Sequence, residues 1–307
     1  MGSHSMGKHL VDWTSVVRPM YEESYTCHFD RLIRSSDGSY AFLYQIKGTK
    51  GLILRADGSI IREVNRSYYH SSTYEYPATF WKRSDGITCL IHCPEEYNRI
   101  EIEEVETGKR ISDESSRKPS DAFHSRLMID PDNRTLLSRG WYWHPWDCAE
   151  LFDLEDCSRD PKLLDQSKLT PDVMSEVTGA DFIDENRILL GYALELDNVQ
   201  TKEEKPSWQI VIWNFRTGEI SEPVTTEIEL GTHLFVIDEN RAWDLYGHPK
   251  IIDIHSGNVM DSVPEINSGT QQSSIIHHLN FLPKIAFNRE TGQVAIGTEN
   301  TIEILTP

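Results

Sequence analysis

The sequence predicts an all-β protein built from a repeated unit of about 50 residues. Two observations predict the β class. Apolar residues occupy alternate positions along short segments, as half-buried strands require, and turns containing glycine or asparagine separate those segments. A third observation predicts the repeat, because one combination of strand and turn recurs along almost the whole chain.

The most recognisable part of the unit is a strand that ends in a tight turn. Copies of it are GLILRADGSII, RIEIEEVETGKRI, IVIWNFRTGEI and KIIDIHSGNVM, with turns at Gly58, Gly108, Gly218 and Gly257. Glycine suits this position because a tight hairpin needs a residue with positive φ. A weaker copy, CAELFDLEDCSRDPKLL, is expected to turn near Ser158. Successive turns lie 50, 50, 60 and 39 residues apart, a period typical of the four-stranded blades of a β-propeller.

A second set of turns marks an earlier hairpin in each unit. Its members are Asp37-Gly38, Asp85-Gly86, Asp132-Asn133, Asp184-Glu185-Asn186, Asp238-Glu239-Asn240 and Thr291-Gly292. The last unit ends with TIEILTP, which supplies a third strand but no fourth. Because closing a ring of sheets removes their open edges, we expect HLVDWTSVV, residues 9–17, to supply the missing strand.

The predicted fold is therefore a six-bladed β-propeller with four-stranded blades, the last closed by the N-terminal strand. A pair of β-sandwiches is the alternative, but it does not explain an incomplete last unit. Residues 1–6, MGSHSM, resemble a vector-derived tag remnant, and residues 7–307 are expected to form a single domain. The best helical segment is TPDVMSEV, residues 170–177, with Thr170 as N-cap and Pro171 in the first turn.

One strand carries a resemblance to a known family. IVIWNFRTGEI is similar to the third strand of WD40 repeats, and Trp213 stands where that family has the tryptophan of its Trp-Asp pair. Asn214 replaces the aspartate, the other units lack the tryptophan, and no Gly-His pair opens a unit. The resemblance implies a propeller that presents surfaces to other proteins, and it implies no catalytic residue.

The charge of the chain restricts its partners. Forty-nine acidic residues against 30 basic residues give a formal net charge of −19. That charge repels phosphate backbones and anionic membranes, so a basic protein is the expected partner unless the charge serves solubility alone. No apolar stretch approaches the roughly 20 residues needed to cross a bilayer. The five cysteines are too few and uneven in number for a disulfide framework, so a cytoplasmic monomer with reduced thiols is expected.

The candidate binding residues lie in the long connections, which share one face in a propeller. Those connections are residues 66–77, 141–148, 195–207 and 264–280, and they are rich in aromatic or acidic side chains. The predicted partner-binding residues are Tyr68, Tyr69, Tyr74, Tyr76, Trp141, Trp143, His144, Trp146, Glu195, Asp197, Glu203, Glu204, His277 and His278. Alternatively, Trp141 and Trp143 continue a strand and pack in the core.

The sequence favours binding over catalysis. It contains no GxxxxGK[ST], GxGxxG, GxSxG or HExxH motif, and no cofactor or metal is predicted. Cys89, His92 and Cys93 lack the usual zinc spacing because His92 falls on the opposite face of a strand. The main hypothesis is a non-catalytic protein-binding propeller, such as a bacterial immunity protein that neutralises a basic toxin domain. The alternative is a propeller-type hydrolase or lactonase with a site in the central channel.

Overall fold

The computed structural model describes residues 7–12, 28–143, 146–167, 176–194, 207–298 and 300–307, with the side chains described from residue 28 onward. It packs as two compact units. One comprises Met1–Ser24, Pro171–Ser273 and Leu279–Pro307, and contains the first strand, β1 (Gly7–Asp12). The other comprises Tyr25–Thr170 and Ser274–His278. No helix within the described ranges is long and apolar enough to span a membrane.

The unit that begins at Tyr25 contains four antiparallel sheets. The first two follow chain order: β2 (Arg31–Arg34), β3 (Tyr40–Tyr44), β4 (Lys50–Arg55) and β5 (Ile60–Asn65), then β6 (Ala78–Lys82), β7 (Thr88–His92) and β8 (Glu101–Glu104). The other two interleave along the chain: β9 (Ala122–Phe123), β10 (Met128–Ile129), β11 (Thr135–Ser138), β12 (Trp141–Tyr142), β13 (Trp146–Asp147) and β14 (Glu150–Asp153). Their strand orders are β10-β11-β14 and β13-β12-β9.

The unit that contains both chain ends has three antiparallel sheets. The first has β15 (Val177–Phe182), β16 (Arg187–Leu194), β17 (Ser207–Asn214) and β18 (Glu219–Ile220) in chain order, and β19 (Val224–Thr225) pairs with β17. The second has β20 (Leu234–Val236), β21 (Arg241–Asp244), β22 (Lys250–Asp253) and β23 (Val259–Ser262) in chain order. The third comprises β24 (Lys284–Asn288), β25 (Gln293–Gly297), β26 (Thr301–Thr306) and β1. The pairing of β1 with β26 was predicted, although β1 starts earlier than expected and residues 13–17 lie outside the described residues.

Most predicted hairpins lie where the turn residues placed them, but not every predicted four-stranded blade forms. The sheet of β6, β7 and β8 has three strands, because only an isolated bridge between Glu103 and Arg110 follows β8. All six turns of the earlier set separate consecutive paired strands, from β2–β3 through β24–β25. The glycines of the later set, Gly58, Gly108, Gly218 and Gly257, all have positive φ, between 69° and 86°. Asn133, which has no glycine beside it, also adopts a positive φ of 58°. Backbone conformation at a turn is thus decided by the few residue types that tolerate it.

One prediction about an individual element was wrong. Near Ser158 the chain forms a helix, α1 (Leu154–Arg159), followed by a 3₁₀ turn at Pro161–Asp165, in place of a hairpin. The cause is local, because the Asp153 side chain caps the helix by accepting from the Asp156 backbone N–H at 3.1 Å, and no glycine is present to turn the strand. The helix predicted at residues 170–177 lies largely outside the described residues, and its last residue, Val177, begins β15.

Buried polar contacts hold neighbouring sheets together within each unit. Trp81 Nε1 donates to the carbonyl of Asn133 at 3.0 Å, and Trp243 Nε1 donates to the carbonyl of Gly292 at 2.8 Å. In the unit with the chain ends, the fully buried Asp181 on β15 accepts from the Val236 backbone N–H on β20 at 2.7 Å. Asp181 also binds the guanidinium of Arg289, which follows β24. One carboxylate therefore joins three sheets.

Candidate functional site

A buried arginine organises the first predicted binding loop, residues 66–77. The guanidinium of Arg66 donates to the backbone carbonyls of Gly48 at 2.7 Å, Ser71 at 2.7 Å and Tyr74 at 3.0 Å. Two longer bonds reach the carbonyls of Ile46 and Glu75. Because the residue is only 3% exposed, burial lowers the pKa of the Arg66 guanidinium, and these carbonyl dipoles take the place of water.

Tyr74 and Tyr76 do not lie on the surface, contrary to their predicted role as partner contacts. Both are buried, and both rings lie against the Arg66 guanidinium, at 4.6 Å and 4.8 Å from ring centroid to Cζ. Tyr76 also packs on the rings of Phe42 and Tyr44 in the core. These tyrosines stabilise the loop, because the attraction between a cation and an aromatic face is favourable where water is excluded.

The same loop contacts residues 274–278, which are part of another predicted connection, residues 264–280. Tyr74 forms an isolated antiparallel bridge with Ile275, and the backbone N–H groups of Ile276 and His277 both donate to the carbonyl of Thr73, at 2.8 Å and 3.1 Å. His277 and His278 are exposed beyond this junction, with their rings edge to face. Two connections that are about 200 residues apart in the chain are thus neighbours, as a shared face requires.

A set of stacked rings lies beside the loop, and we refer to it as the aromatic cluster: Tyr69, His70, Tyr97, Phe123, Trp141 and Trp143. Its centre is Phe123, which is fully buried between Tyr97 and Trp141 with both ring centroids 3.9 Å away. Gly140 permits this close packing, since a Cβ there would lie 1.9 Å from the Phe123 carbonyl oxygen.

The outer rings of the aromatic cluster face solvent. Tyr69 is 49% exposed and stacks on Tyr97 at 5.1 Å, while Trp143 is 47% exposed and stacks 5.7 Å from Phe123. His70 is exposed and meets Tyr69 edge-on at 4.4 Å, with a positive φ of 51° that only a few per cent of residues other than glycine adopt. The structure therefore presents large apolar rings whose positions are already set by buried neighbours.

The remaining predicted contacts separate into three groups. Tyr68 is the most exposed, at 82%, and Trp146 is exposed on β13 opposite Tyr142. Trp141 is buried and packs in the core, as the alternative for Trp141 and Trp143 expected, whereas Trp143 is exposed. The other predicted contacts lie outside the described residues, and they are His144, Glu195, Asp197, Glu203 and Glu204.

Sequence reasoning missed three members of the aromatic cluster, namely His70, Tyr97 and Phe123. Tyr97 lies between β7 and β8, and Phe123 is the last residue of β9, the short strand that follows the connection from β8. Tyr97 lies in the kind of connection that was expected to carry the binding residues, so the sequence contained a signal for that ring. It was weak because each segment contributes a single ring, and only the tertiary structure stacks the rings together.

Two exposed carboxylates flank Tyr97. The hydroxyl of Tyr97 donates to Asp121 Oδ1, and this hydrogen bond raises the pKa of Tyr97 to about 12. Glu96 is the adjacent residue in the chain, and its charge acts in the same direction. Asp121 and Glu96 form no ion pair with any residue in the described ranges, whereas nearby Glu75 is paired with Arg126 at 3.0 Å. The edge of the aromatic cluster is consequently negative.

The cysteine and histidine residues noted in the sequence are core residues. Cys89 and Cys93 are buried, and burial raises the pKa of the Cys89 thiol to about 12. His92 is also buried and lies 3.2 Å from Glu103 through Nε2. Across the described part of the chain, no group of three or more histidine, cysteine, aspartate or glutamate residues has the arrangement of a metal site.

A buried histidine, His124, follows Phe123 in the chain, and its titration is expected to make stability pH-dependent. His124 Nδ1 is 3.0 Å from Ser138 Oγ and 3.6 Å from Glu150 Oε2, and burial lowers the pKa of His124 although Glu150 opposes that shift. With the folded pKa below the unfolded value of about 6.5, stability is complete above pH ~6.5 and declines as pH falls further.

The measurement for this prediction is the free energy of unfolding by urea between pH 7.5 and 5. The control is His255→Gln, which removes an exposed histidine on the turn between β22 and β23 and measures the effect of losing a histidine that is not buried. In His124→Gln the decline below pH ~6.5 should be shallower. An identical slope in His124→Gln and in the unsubstituted protein would contradict the prediction.

Comparisons with known proteins show the fold. No family model matches the chain, and no curated protein matches it. A structure of the Dos1 propeller superposes with a TM-score of 0.54 at 9% identity, covering 90% of this chain and 77% of that one. A chain of the mitotic checkpoint complex superposes with a TM-score of 0.56 at 13% identity, covering 90% and 75%. The chain resembles WD40-like β-propellers. The resemblance predicted from the strand with Trp213 is thereby confirmed.

Proposed function

We propose that this propeller is a non-catalytic binding protein and that the aromatic cluster is the centre of its binding surface. The observation that carries the proposal is the exposure of Tyr69 and Trp143, each about half accessible, on top of the buried rings of Phe123 and Trp141. Tyrosine and tryptophan dominate the energetics of protein interfaces because they bury a large area at a low cost in side-chain entropy.

Pre-organisation strengthens this proposal. The exposed rings are held by stacking and by the Arg66 network, so little conformational freedom is lost when a partner binds. Tyr68 and the exposed pair His277 and His278 extend the surface on the connections that Thr73 joins. A surface of this kind, with a rigid apolar centre and a polar rim, is typical of protein interfaces.

We further infer the arrangement of the blades. A propeller of six blades is supported by the six hairpins of the earlier set of turns. The four-stranded sheet formed by β24, β25, β26 and β1 supports a last blade completed by β1. In the third blade, α1 stands where the fourth strand was expected. This arrangement would place the long connections on one face, which agrees with the junction between residues 66–77 and 274–278.

The charge supports a basic protein as the partner. A net charge of −19 accelerates encounter with a cation and disfavours nucleic acid or anionic lipid. One of the similar chains comes from the mitotic checkpoint complex, which supports a role in assembly with other proteins. A bacterial immunity protein that captures a basic toxin domain is the most specific form of this proposal, and the charge is its support.

Substitution of Trp143 tests the proposed function. The partner is first captured from native lysate with the unsubstituted protein, and its Kd is then measured for each variant. Trp143→Ala is expected to raise the Kd about 30-fold, because an aromatic anchor contributes ~2 kcal/mol or more, with little change in thermal stability. Trp141→Ala should instead lower the free energy of unfolding by about 3 kcal/mol or more, because that ring is buried.

The matched control is Met260→Ala on β23, which removes an exposed apolar side chain that is not part of the aromatic cluster. It is expected to leave both the Kd and the stability unchanged. If Trp143→Ala and Met260→Ala bind the partner equally well, the aromatic cluster is not the binding surface.

A further inference from the structure

We infer that the aromatic cluster recognises an arginine side chain of its basic partner, at the edge formed by Tyr69, Tyr97 and Asp121. The inference rests on the proposed function and specifies the chemistry of the partner. It combines exposed aromatic rings with a carboxylate that has no cation of its own among the described residues.

The carboxylates around the aromatic cluster differ in whether they are already in an ion pair. Several neighbouring acidic side chains already have a cation, including Glu75 with Arg126, Glu95 with Arg110, and Glu101 with Arg99. Asp121 is different, because it is exposed and the partner of its Oδ1 is the neutral hydroxyl of Tyr97. A cation from another molecule can therefore pair with Asp121 without breaking an existing ion pair.

The aromatic rings beside Asp121 are held in place by their neighbours. The Tyr97 ring is fixed from three directions, by its bond to Asp121, by the Phe123 ring at 3.9 Å and by the Tyr69 ring at 5.1 Å. Tyr69 and Tyr97 stack with only 25° between their planes. The carboxylate and the nearby aromatic surface are thus held in one relative position.

Arginine fits this site better than lysine. A guanidinium is planar, so it can lie on an aromatic ring and direct its N–H groups at a carboxylate in the same plane. An ammonium is a compact and strongly hydrated charge that gains less from such a surface. Glu96, exposed and next to Tyr97, adds a second negative charge that favours the cation.

The experiment compares two peptides of equal charge, one with arginine alternating with glycine and one with lysine in place of arginine. Their Kd values are measured by isothermal titration calorimetry on the full chain. The arginine peptide is expected to bind at least about 5-fold more tightly than the lysine peptide. Asp121→Asn should weaken the arginine peptide about 10-fold, as for the loss of a charge-assisted bond.

The control variant is Glu222→Gln, which removes one exposed negative charge between β18 and β19. It should leave the Kd of the arginine peptide within about 2-fold, since Glu222 is not part of the aromatic cluster and an exposed charge is screened by salt. Equal Kd values for the two peptides, or equal effects of Asp121→Asn and Glu222→Gln, would show attraction by net charge alone and overturn the inference.

The failure of this inference is distinguishable from failure of the proposed function. If the captured partner responds to Trp143→Ala but not to Asp121→Asn, the aromatic cluster binds the partner and the arginine inference is wrong. If neither substitution changes binding of the partner, both proposals are wrong. Thermal unfolding of Asp121→Asn, expected to match the unsubstituted protein, shows that any loss of binding is not a loss of folding.

Discussion

Replacing Arg66 with methionine is expected to lower the free energy of unfolding by about 4 kcal/mol and to disorder residues 66–77. Methionine fills a similar volume, but it leaves the carbonyls of Gly48, Ser71 and Tyr74 buried without a donor. An unsatisfied buried polar group costs about 1–3 kcal/mol, and several are created together. Binding of the partner should be lost as well, because Tyr69 lies in the same loop.

Urea denaturation measures the change in the free energy of unfolding, and hydrogen exchange shows whether residues 66–77 become disordered. The amides of Thr73 and Tyr76, which donate to the carbonyls of His70 and Ile46, should exchange faster in Arg66→Met. Arg66→Lys is expected to be nearly as damaging, because one ammonium cannot replace a fork of five N–H donors.

The matched control is Arg55→Met, since Arg55 lies on the adjacent β4 and forms an exposed ion pair with Glu106. Surface pairs of this kind contribute less than about 1 kcal/mol. A loss of stability in Arg55→Met as large as in Arg66→Met would show that removing any arginine from this unit has the same effect.

The second large effect is expected at Asp181, where alanine should lower the free energy of unfolding by about 3 kcal/mol or more. The substitution removes the acceptor of the buried Val236 N–H and leaves the Arg289 guanidinium without its carboxylate. Breaking a buried charged pair on one side is costly because the remaining charge loses its partner. Asp181→Asn should lie between alanine and the unsubstituted protein.

A double-mutant cycle with Arg289→Met measures the coupling at Asp181. The two substitutions together should cost less than the sum of their separate effects, by about 1 kcal/mol or more. Asp57→Ala is the control for Asp181→Ala, because Asp57 also accepts a hydrogen bond from a backbone N–H, that of Ser59, but is exposed in a solvated turn. Additive effects in the cycle would show that Asp181 and Arg289 stabilise the fold independently.

Local features of the sequence were enough to predict most of the strand order. A turn at Gly58 or Gly257 is decided by the φ that glycine alone adopts easily, and alternating apolar residues predict strands independently of the remaining chain. The pairing of β1 with β26 also followed from counting strands. The failure near Ser158 has the same local origin, because Asp153 caps a helix there and no glycine is present to turn the strand.

The candidate site depended on contacts that the sequence does not encode locally. Nothing in RSYYHSSTYEYP separates the exposed Tyr69 from the buried Tyr76, because the difference arises from Arg66 and from distant residues such as Phe42. Arginine is seldom buried, so its role as the organiser of this loop could not be anticipated.

The sequence by itself determined that the chain is all-β, where its hairpins turn, and that it carries a large negative charge. Only the tertiary structure decided which aromatic residues face solvent. The physical reason is that strands and turns follow from interactions between residues close in the chain. Burial of Phe123 and exposure of Trp143 depend instead on which connections meet when the sheets pack.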